Sequence, residues 1–315
     1  MELNSPLLQA QSMPNWNDVL NEINEASLTR RDAFDFVRRK YLKNLFEKRN
    51  RNIICYYSGW LQKPNIQGTE INDNDKNAFM AAIHGLDRKK GLDLILHTPG
   101  GQVAATESLV DYLRKMFGTD IEVFIPQIAM SAGTMIACSA KKIHMGKQSN
   151  IGPIDPHVNG ASAPAVVEEF YRAAEEIKKD PSKIPLWQVI IGKYHPTFIL
   201  SCENAREWSK EIVLKWLESG MFKDQKDKAI CGKIVDELSD HKKTKAHARH
   251  ISNEEAKKIG LTIVDLETDN ELQDLVLTVH HAYIHTLSNT PTIKIVENHV
   301  GLANVLRAQF IQKVE

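Results

Sequence analysis

This chain predicts an α/β fold built on a parallel sheet, and three observations carry the prediction. Apolar runs of strand length, residues 92–96 and 121–125, recur about 30 residues apart. Each is followed by apolar residues at three- and four-residue steps, the period of a helix. Each run ends in small residues, Pro99-Gly100-Gly101 after the first and Met130-Ser131-Ala132-Gly133 after the second. Such residues let a chain turn from strand into helix without obstruction, and strands alternating with helices are the signature of parallel α/β architecture.

The elements follow in order. Residues 1–14 are polar with two prolines and read as flexible. Residues 17–49 carry two helical stripes, one of Val19, Leu20, Ile23 and Ala26, the next of Phe34, Val37, Tyr41, Leu42 and Leu45. Residues 52–57 read as the first core strand. Asp73 or Asn74 is placed to cap a helix with Phe79, Ile83 and Leu86 inward. After the strand at 92–96 comes a helix with Leu109, Val110, Leu113, Met116 and Phe117 on one face. The strand at 121–125 leads to the serine patch, a short helix over 134–140 and a short strand over 142–145. Gly152-Pro153-Ile154-Asp155-Pro156 is a rigid turn. Helices are predicted over 166–179, 196–218, 224–240 and 272–287, with Ser252 and Glu255 spaced as a capping box. From Ser288 the pattern reads as an irregular tail.

Composition narrows the class. A chain of 315 residues, 42% hydrophobic and 25% charged, can bury a sizeable core. Its formal net charge is zero, so no overall field gathers nucleic acid or anionic membrane. Basic residues crowd positions 30–51, but with few aromatics among them they read as a solvated helix face. Cys55, Cys138, Cys202 and Cys231 form no metal or disulfide pattern and read as buried thiols in a reducing compartment. No run approaches a membrane span, and the first residues lack the features of a signal peptide. A cytoplasmic protein is expected.

The two turn patches supply the parts of an acyl-transfer site. A serine at a strand end offers a nucleophile, and a glycine pair offers unobstructed backbone N–H groups for an oxyanion. The competing reading of Ser131 is a helix cap, with Gly133 permitting the turn.

Thr98-Pro99-Gly100-Gly101, a helix, a strand, Met130-Ser131-Ala132-Gly133-Thr134 and then Gly152-Pro153-Ile154-Asp155-Pro156 together resemble the Clp-protease/crotonase superfamily. Within it the chain is most similar to the serine dehydrogenase proteinase family, relatives of signal peptide peptidase A. The likeness is strongest over residues 90–157 and continues weakly to Glu255-Ala256-Lys257-Lys258-Ile259-Gly260-Leu261. It implies a superhelix of β-β-α units over a peptidase domain at 51–287; the added N-terminal helical extension over 1–50 and the tail over 288–315 are not covered by the likeness. It also implies a homo-oligomer that encloses its active sites and admits unfolded or extended polypeptide. Ser131 matches the nucleophile, while Gly100, Gly101 and the amide of Ala132 match the oxyanion hole.

The general base has two precedents. Clp proteases use a histidine soon after the serine, and His157 lies 26 residues past Ser131. Signal peptide peptidases use a lysine further on, and Lys183 lies 52 past it. A histidine needs little tuning, whereas a lysine base must be desolvated, which Ile184, Pro185, Leu186 and Trp187 could provide. The family carries glutamine where His157 stands, which places Lys183 first. Asp155 could orient either base or cap its turn. His241, His247 and His250 lie in a Lys-rich stretch that reads as an exposed loop; His247 matches a position before the family's Glu-Ala-x-x-x-Gly-Leu segment and keeps a lesser candidacy. His281 and His285, one helical turn apart, lack a third ligand and read as a surface or interface pair.

No cofactor and no metal are expected. The chain has no Walker loop, so any ATP dependence would belong to a separate unfoldase or regulatory partner. The expected function is a serine endopeptidase acting through an acyl-enzyme on Ser131. A crotonase-type acyl-coenzyme A enzyme and an inactive scaffold of the same fold are the competing readings.

Overall fold

The computed structural model describes residues 14–226, 228–240 and 246–308. The expectations for residues 1–13 and for His241 lie outside them. The apolar runs form β1 (Asn52–Ser58), β2 (Leu92–His97) and β3 (Ile121–Ile125). The chain then gives β4 (Ile128–Ala129), β5 (Lys142–Met145), β6 (Asn150–Ile151), a hairpin of β7 (His157–Val158) and β8 (Ala161–Ser162), then β9 (Ile251–Ser252) and β10 (Ile263–Asp265). The last strands are β11 (Thr292–Asn298) and β12 (Ala303–Arg307). The main sheet runs β10-β5-β3-β2-β1-β11-β12, parallel from β10 to β1 and antiparallel beyond.

Both faces of this sheet are covered, which is why its central strands β1, β2 and β3 are apolar on both faces apart from single polar residues. Along β1, Ile54 and Tyr56 enter one core while Ile53, Cys55 and Tyr57 enter the other. The first core is closed by α3 (Asn74–Ile83), α4 (Val103–Phe117), α5 (Ala132–Cys138), α8 (Phe198–Ser219), α9 (Ala229–Ser239) and α10 (Asn253–Ile259). The second is closed by α1 (Trp16–Ser27), α2 (Ala33–Arg49) and α11 (Asn270–Asn289). The amphipathic helix α6 (Ala163–Lys179) packs on α8 in a smaller cluster around Val166, Val167 and Cys202. The capping box at Ser252 and Glu255 forms as its spacing predicts.

Two expectations are corrected. The stretch after Ser288 is not irregular: β11 pairs antiparallel with β1, so the sheet draws strands from both sides of the expected boundary at 287. β11 sets charged Lys294 and Glu297 among Ile293, Ile295 and Val296, and all of them are buried because each charge finds a partner. The basic residues near α2 are a solvated face only in part: Arg31, Lys40, Lys43 and Lys48 are exposed, but three arginines turn inward. Arg38 is buried against Glu297 at 2.9 Å, Arg49 bridges Asp93 and Glu122, and Arg51 joins Asp93 to Asp120. These arginines neutralise carboxylates that the sheet buries, a charge that would otherwise be costly to hold.

Candidate active site

The ends of β2 and β4 are laced together. The Thr98 N–H donates to Ile128 O at 3.2 Å, and the Met130 N–H donates to Thr98 O at 3.0 Å. This brings the Pro-Gly-Gly turn beside Ser131, two patches that the chain separates by a whole helix.

Ser131 stands at the start of α5 with φ 51° and ψ −115°, a strained conformation for a residue with a side chain. Its hydroxyl makes no capping bond, so the capping role is not adopted. The strain is held from both sides: the Gly133 N–H reaches Met130 O at 2.7 Å and the Met135 N–H reaches Ser131 O at 3.0 Å. Thr134 ties the next segment in, donating to Ala129 O and accepting from the Gly152 N–H at 2.9 Å.

The glycine turn needs its glycines. Gly100 has φ +97°, and a Cβ there would stand 2.7 Å from Met130 O and 2.8 Å from Ser131 Cβ. A Cβ on Gly101 would stand 2.3 Å from the backbone of Ile71. Ile71 pairs with the turn, its N–H donating to Gly100 O at 2.8 Å and its carbonyl accepting from the Gln102 N–H at 2.9 Å. The Gly100 N–H is occupied by Thr98 Oγ1 at 3.1 Å. These bonds leave unused the N–H of Gly101 and that of Ala132, the first amide of α5, where a helix offers donors without an internal acceptor.

Behind the turn lies a buried ion pair. Lys294 Nζ is 2.9 Å from Asp75 Oδ1, and Asp75 Oδ2 accepts from Tyr56 Oη at 2.9 Å and from the Asn72 N–H at 3.0 Å. The segment that carries Ile71 is thereby fixed against the glycines.

Ser131 opens on a cavity of about 250 Å³. Gly101, His157 and His247 share its lining with Ser131, and Val103, Met135, Ile154 and Pro156 give it an apolar wall. His247 Nδ1 lies 2.9 Å from Oδ1 of Asp155, which is fully buried in the 152–156 turn. The rings of His157 and His247 are 4.2 Å apart. The structure thus groups Ser131, Gly101, His157 and His247, with Asp155 behind. Lys183 is not among the residues lining this cavity. It closes the short turn before α7 (Ile184–Ile191), pairs with Glu176 at 3.3 Å, and is 42% exposed. The Asp155–His247 pairing was the feature least legible in the sequence, where only the family-like segment after His247 marked it.

Other candidates have different roles. Cys138 ends the serine helix, but burial pushes its thiol up to about 12, which leaves it inert near neutral pH. His281 and His285 pack on Trp16 of α1, with His285 Nε2 3.1 Å from Trp16 O. They serve an interface inside the chain.

Fold and site define an α/β protein whose serine sits at a strand-to-helix turn beside paired glycines. The chain belongs to the family of ClpP-like SDH-type serine proteinases, whose model matches residues 23–300. It is 32% identical over 152 residues to the uncharacterized protein MJ0137 of Methanocaldococcus jannaschii, covering 47% of this chain and 52% of that one. It is 34% identical over 158 residues to the uncharacterized protein MJ1495 of the same organism, covering 48% and 52%. The chain spans about half the length of these curated relatives. Among solved structures, a serine-to-alanine mutant of the 1510-N membrane-bound stomatin-specific protease aligns with a TM-score of 0.37 at 17% identity, over 64% of this chain and 78% of that one. Among the described residues no helix is long and apolar enough to cross a membrane.

Proposed function

We propose that the chain is a serine endopeptidase that cleaves polypeptide through an acyl-enzyme on Ser131. The observation that carries this reading is the strained Ser131, free of any capping bond, opening on a cavity it shares with His157 and His247. His247, aligned by buried Asp155, takes the proton of the Ser131 hydroxyl as the oxygen attacks the carbonyl carbon. The oxyanion that forms is met by the N–H groups of Gly101 and Ala132, with Gly100 holding the turn rather than donating. The imidazolium then protonates the leaving amine, and water repeats the sequence to release the acyl group.

Lys183 is engaged by Glu176 and is not among the residues lining the Ser131 cavity, whereas two histidines are, which favours histidine over lysine. Membership of a serine proteinase family favours peptide cleavage over acyl-coenzyme A chemistry. The active form is a homo-oligomer that restricts entry to extended polypeptide, and a separate unfoldase or regulatory partner would be needed to unfold folded substrates before entry.

A fluorophosphonate probe tests the reading, since it reacts only with an activated serine. The chain should label, and Ser131→Ala should not label while keeping its fold by circular dichroism. Equal labelling of the variant would remove Ser131 from the mechanism. A well-folded wild type that never labels would favour the scaffold reading.

A further inference from the structure

Asp155, His157 and His247 hold one carboxylate oxygen and two imidazole nitrogens within 4.8 Å of one another. Among the described residues this is the one group of three or more such side chains with that spacing. We infer that it binds a divalent transition-metal ion of the zinc class, and that the bound ion silences the serine. The silencing rests on the proposed roles of Ser131 and His247; the metal site rests on its own geometry.

The donor set suits such an ion. Two imidazoles and a carboxylate are the ligands of zinc-class metals, whereas calcium and magnesium ask for oxygen throughout. Ligands about 2.0–2.2 Å from a tetrahedral ion lie roughly 3.4 Å from one another, so the widest pair here has to close by no more than about 1.4 Å. The residues that would move have room to do so. His157 is exposed on the β7–β8 hairpin, and the His247 side chain is 26% exposed. The carboxylate that would stay in place is the buried one. Its turn is fastened by the Gly152 N–H to Thr134 Oγ1 and by the Ile154 N–H to Leu238 O at 3.0 Å.

The fourth position of a tetrahedral ion would face the cavity, because both histidines line it. An ion there engages the imidazole that has to accept the Ser131 proton: a neutral imidazole that gives the lone pair of one nitrogen to a metal carries its proton on the other, so neither nitrogen can accept a second one. It also narrows a cavity of about 250 Å³ at the nucleophile. Metal and substrate turnover therefore exclude each other, and release of the metal restores the base.

The site can be read without activity. Zn²⁺ is titrated calorimetrically into the full chain carrying Ser131→Ala, and into the same chain with His157→Gln or His247→Gln added. One ion per chain should bind with micromolar affinity or better, weakened at least tenfold by either histidine change. Co²⁺ should give the intense visible bands of a tetrahedral site, lost in the same variants. No stoichiometric binding, or binding unchanged in both histidine variants, would overturn the site. In the wild type, Zn²⁺ should block fluorophosphonate labelling and a chelator should restore it. Labelling unaffected at saturating Zn²⁺ would overturn the silencing. A chain that never labels would instead fail the serine reading, while the calorimetry still decides the metal.

Discussion

His247 Nδ1 lies 2.9 Å from Oδ1 of the fully buried Asp155, across 92 residues of chain. A buried carboxylate behind an imidazole that faces a cavity orients the ring and supports the positive charge it acquires. His247→Ala should therefore slow acylation by an activated ester about a hundredfold to ten-thousandfold. Asp155→Asn should slow it with little change in ester binding. Lys183→Ala is the informative comparison, expected to acylate at the wild-type rate. Loss of acylation in Lys183→Ala alone would restore the lysine mechanism of the signal peptide peptidases.

Gly100 approaches the chain around Ser131 more closely than any side chain permits. In Gly100→Ala the new methyl would stand 2.7 Å from Met130 O, so the turn has to withdraw from Ser131. Displacing an oxyanion donor typically costs about a hundredfold to a thousandfold in rate. The labelling rate should fall by that order. A labelling rate equal to wild type would show that this turn does not hold the oxyanion.

The Asp75–Lys294 pair anchors the segment that pairs with the glycine turn, and both side chains are about 95% buried. Lys294→Met leaves the Asp75 charge without its partner, a change that typically costs about 3–5 kcal/mol. Urea denaturation should show this as a lower midpoint with an unchanged slope. An unchanged midpoint would mean that Asp75 is neutralised some other way.

Acid should weaken the fold before the carboxylates titrate. Burial holds His97 down at about 3 and His281 at about 4, against roughly 6.5 in the unfolded chain. The folded values lie below the unfolded one, so the unfolded chain takes up protons first. The stability is fully present above about pH 6.5 and is lost as the pH falls toward the folded values. His97 alone should cost about 1.4 kcal/mol for each pH unit below 6.5. Urea midpoints at pH 7, 6 and 5 should fall accordingly, and His97→Phe should flatten the slope. Identical slopes for both proteins would contradict the account.

Helix α7 presents Ile184, Leu186 and Val189 to solvent, with Val189 66% exposed. A homo-oligomer would cover such residues. Light scattering at micromolar concentration should give a mass several times 35.7 kDa, and Leu186→Asp with Val189→Asp should reduce it. A monomer at that concentration would contradict the oligomer.

The legible parts of the molecule were those written in short stretches of chain. Residues 92–96 and 121–125 are strands because runs of that length, apolar but for Asp93 and Glu122, suit a sheet covered on both faces. The short helix after Ser131, expected over 134–140, forms as Ala132–Cys138, and the capping box at Ser252 follows from a three-residue spacing. Pro99-Gly100-Gly101 and Ser131 were recognisable for the same reason: each is a turn whose backbone demands are local. The irregular reading after Ser288 failed because Lys294, Glu297 and Asn298 interrupt the apolar pattern of β11. Those residues are tolerated in a buried strand only because Asp75, Arg38 and the Ala82 carbonyl meet them from elsewhere.

By itself, then, the sequence determined the strand-and-helix alternation, the serine turn and the glycine turn, because hydrophobic period and backbone freedom are properties of neighbouring residues. Tertiary structure alone decided that Asp155 faces His247, that His157 joins them at the cavity while Lys183 pairs with Glu176, and that the arginines of α2 neutralise the sheet's carboxylates. Each of these is a meeting of charges or lone pairs from distant segments. Which distant segments meet is set by how the two cores pack around the sheet, and no local pattern records that.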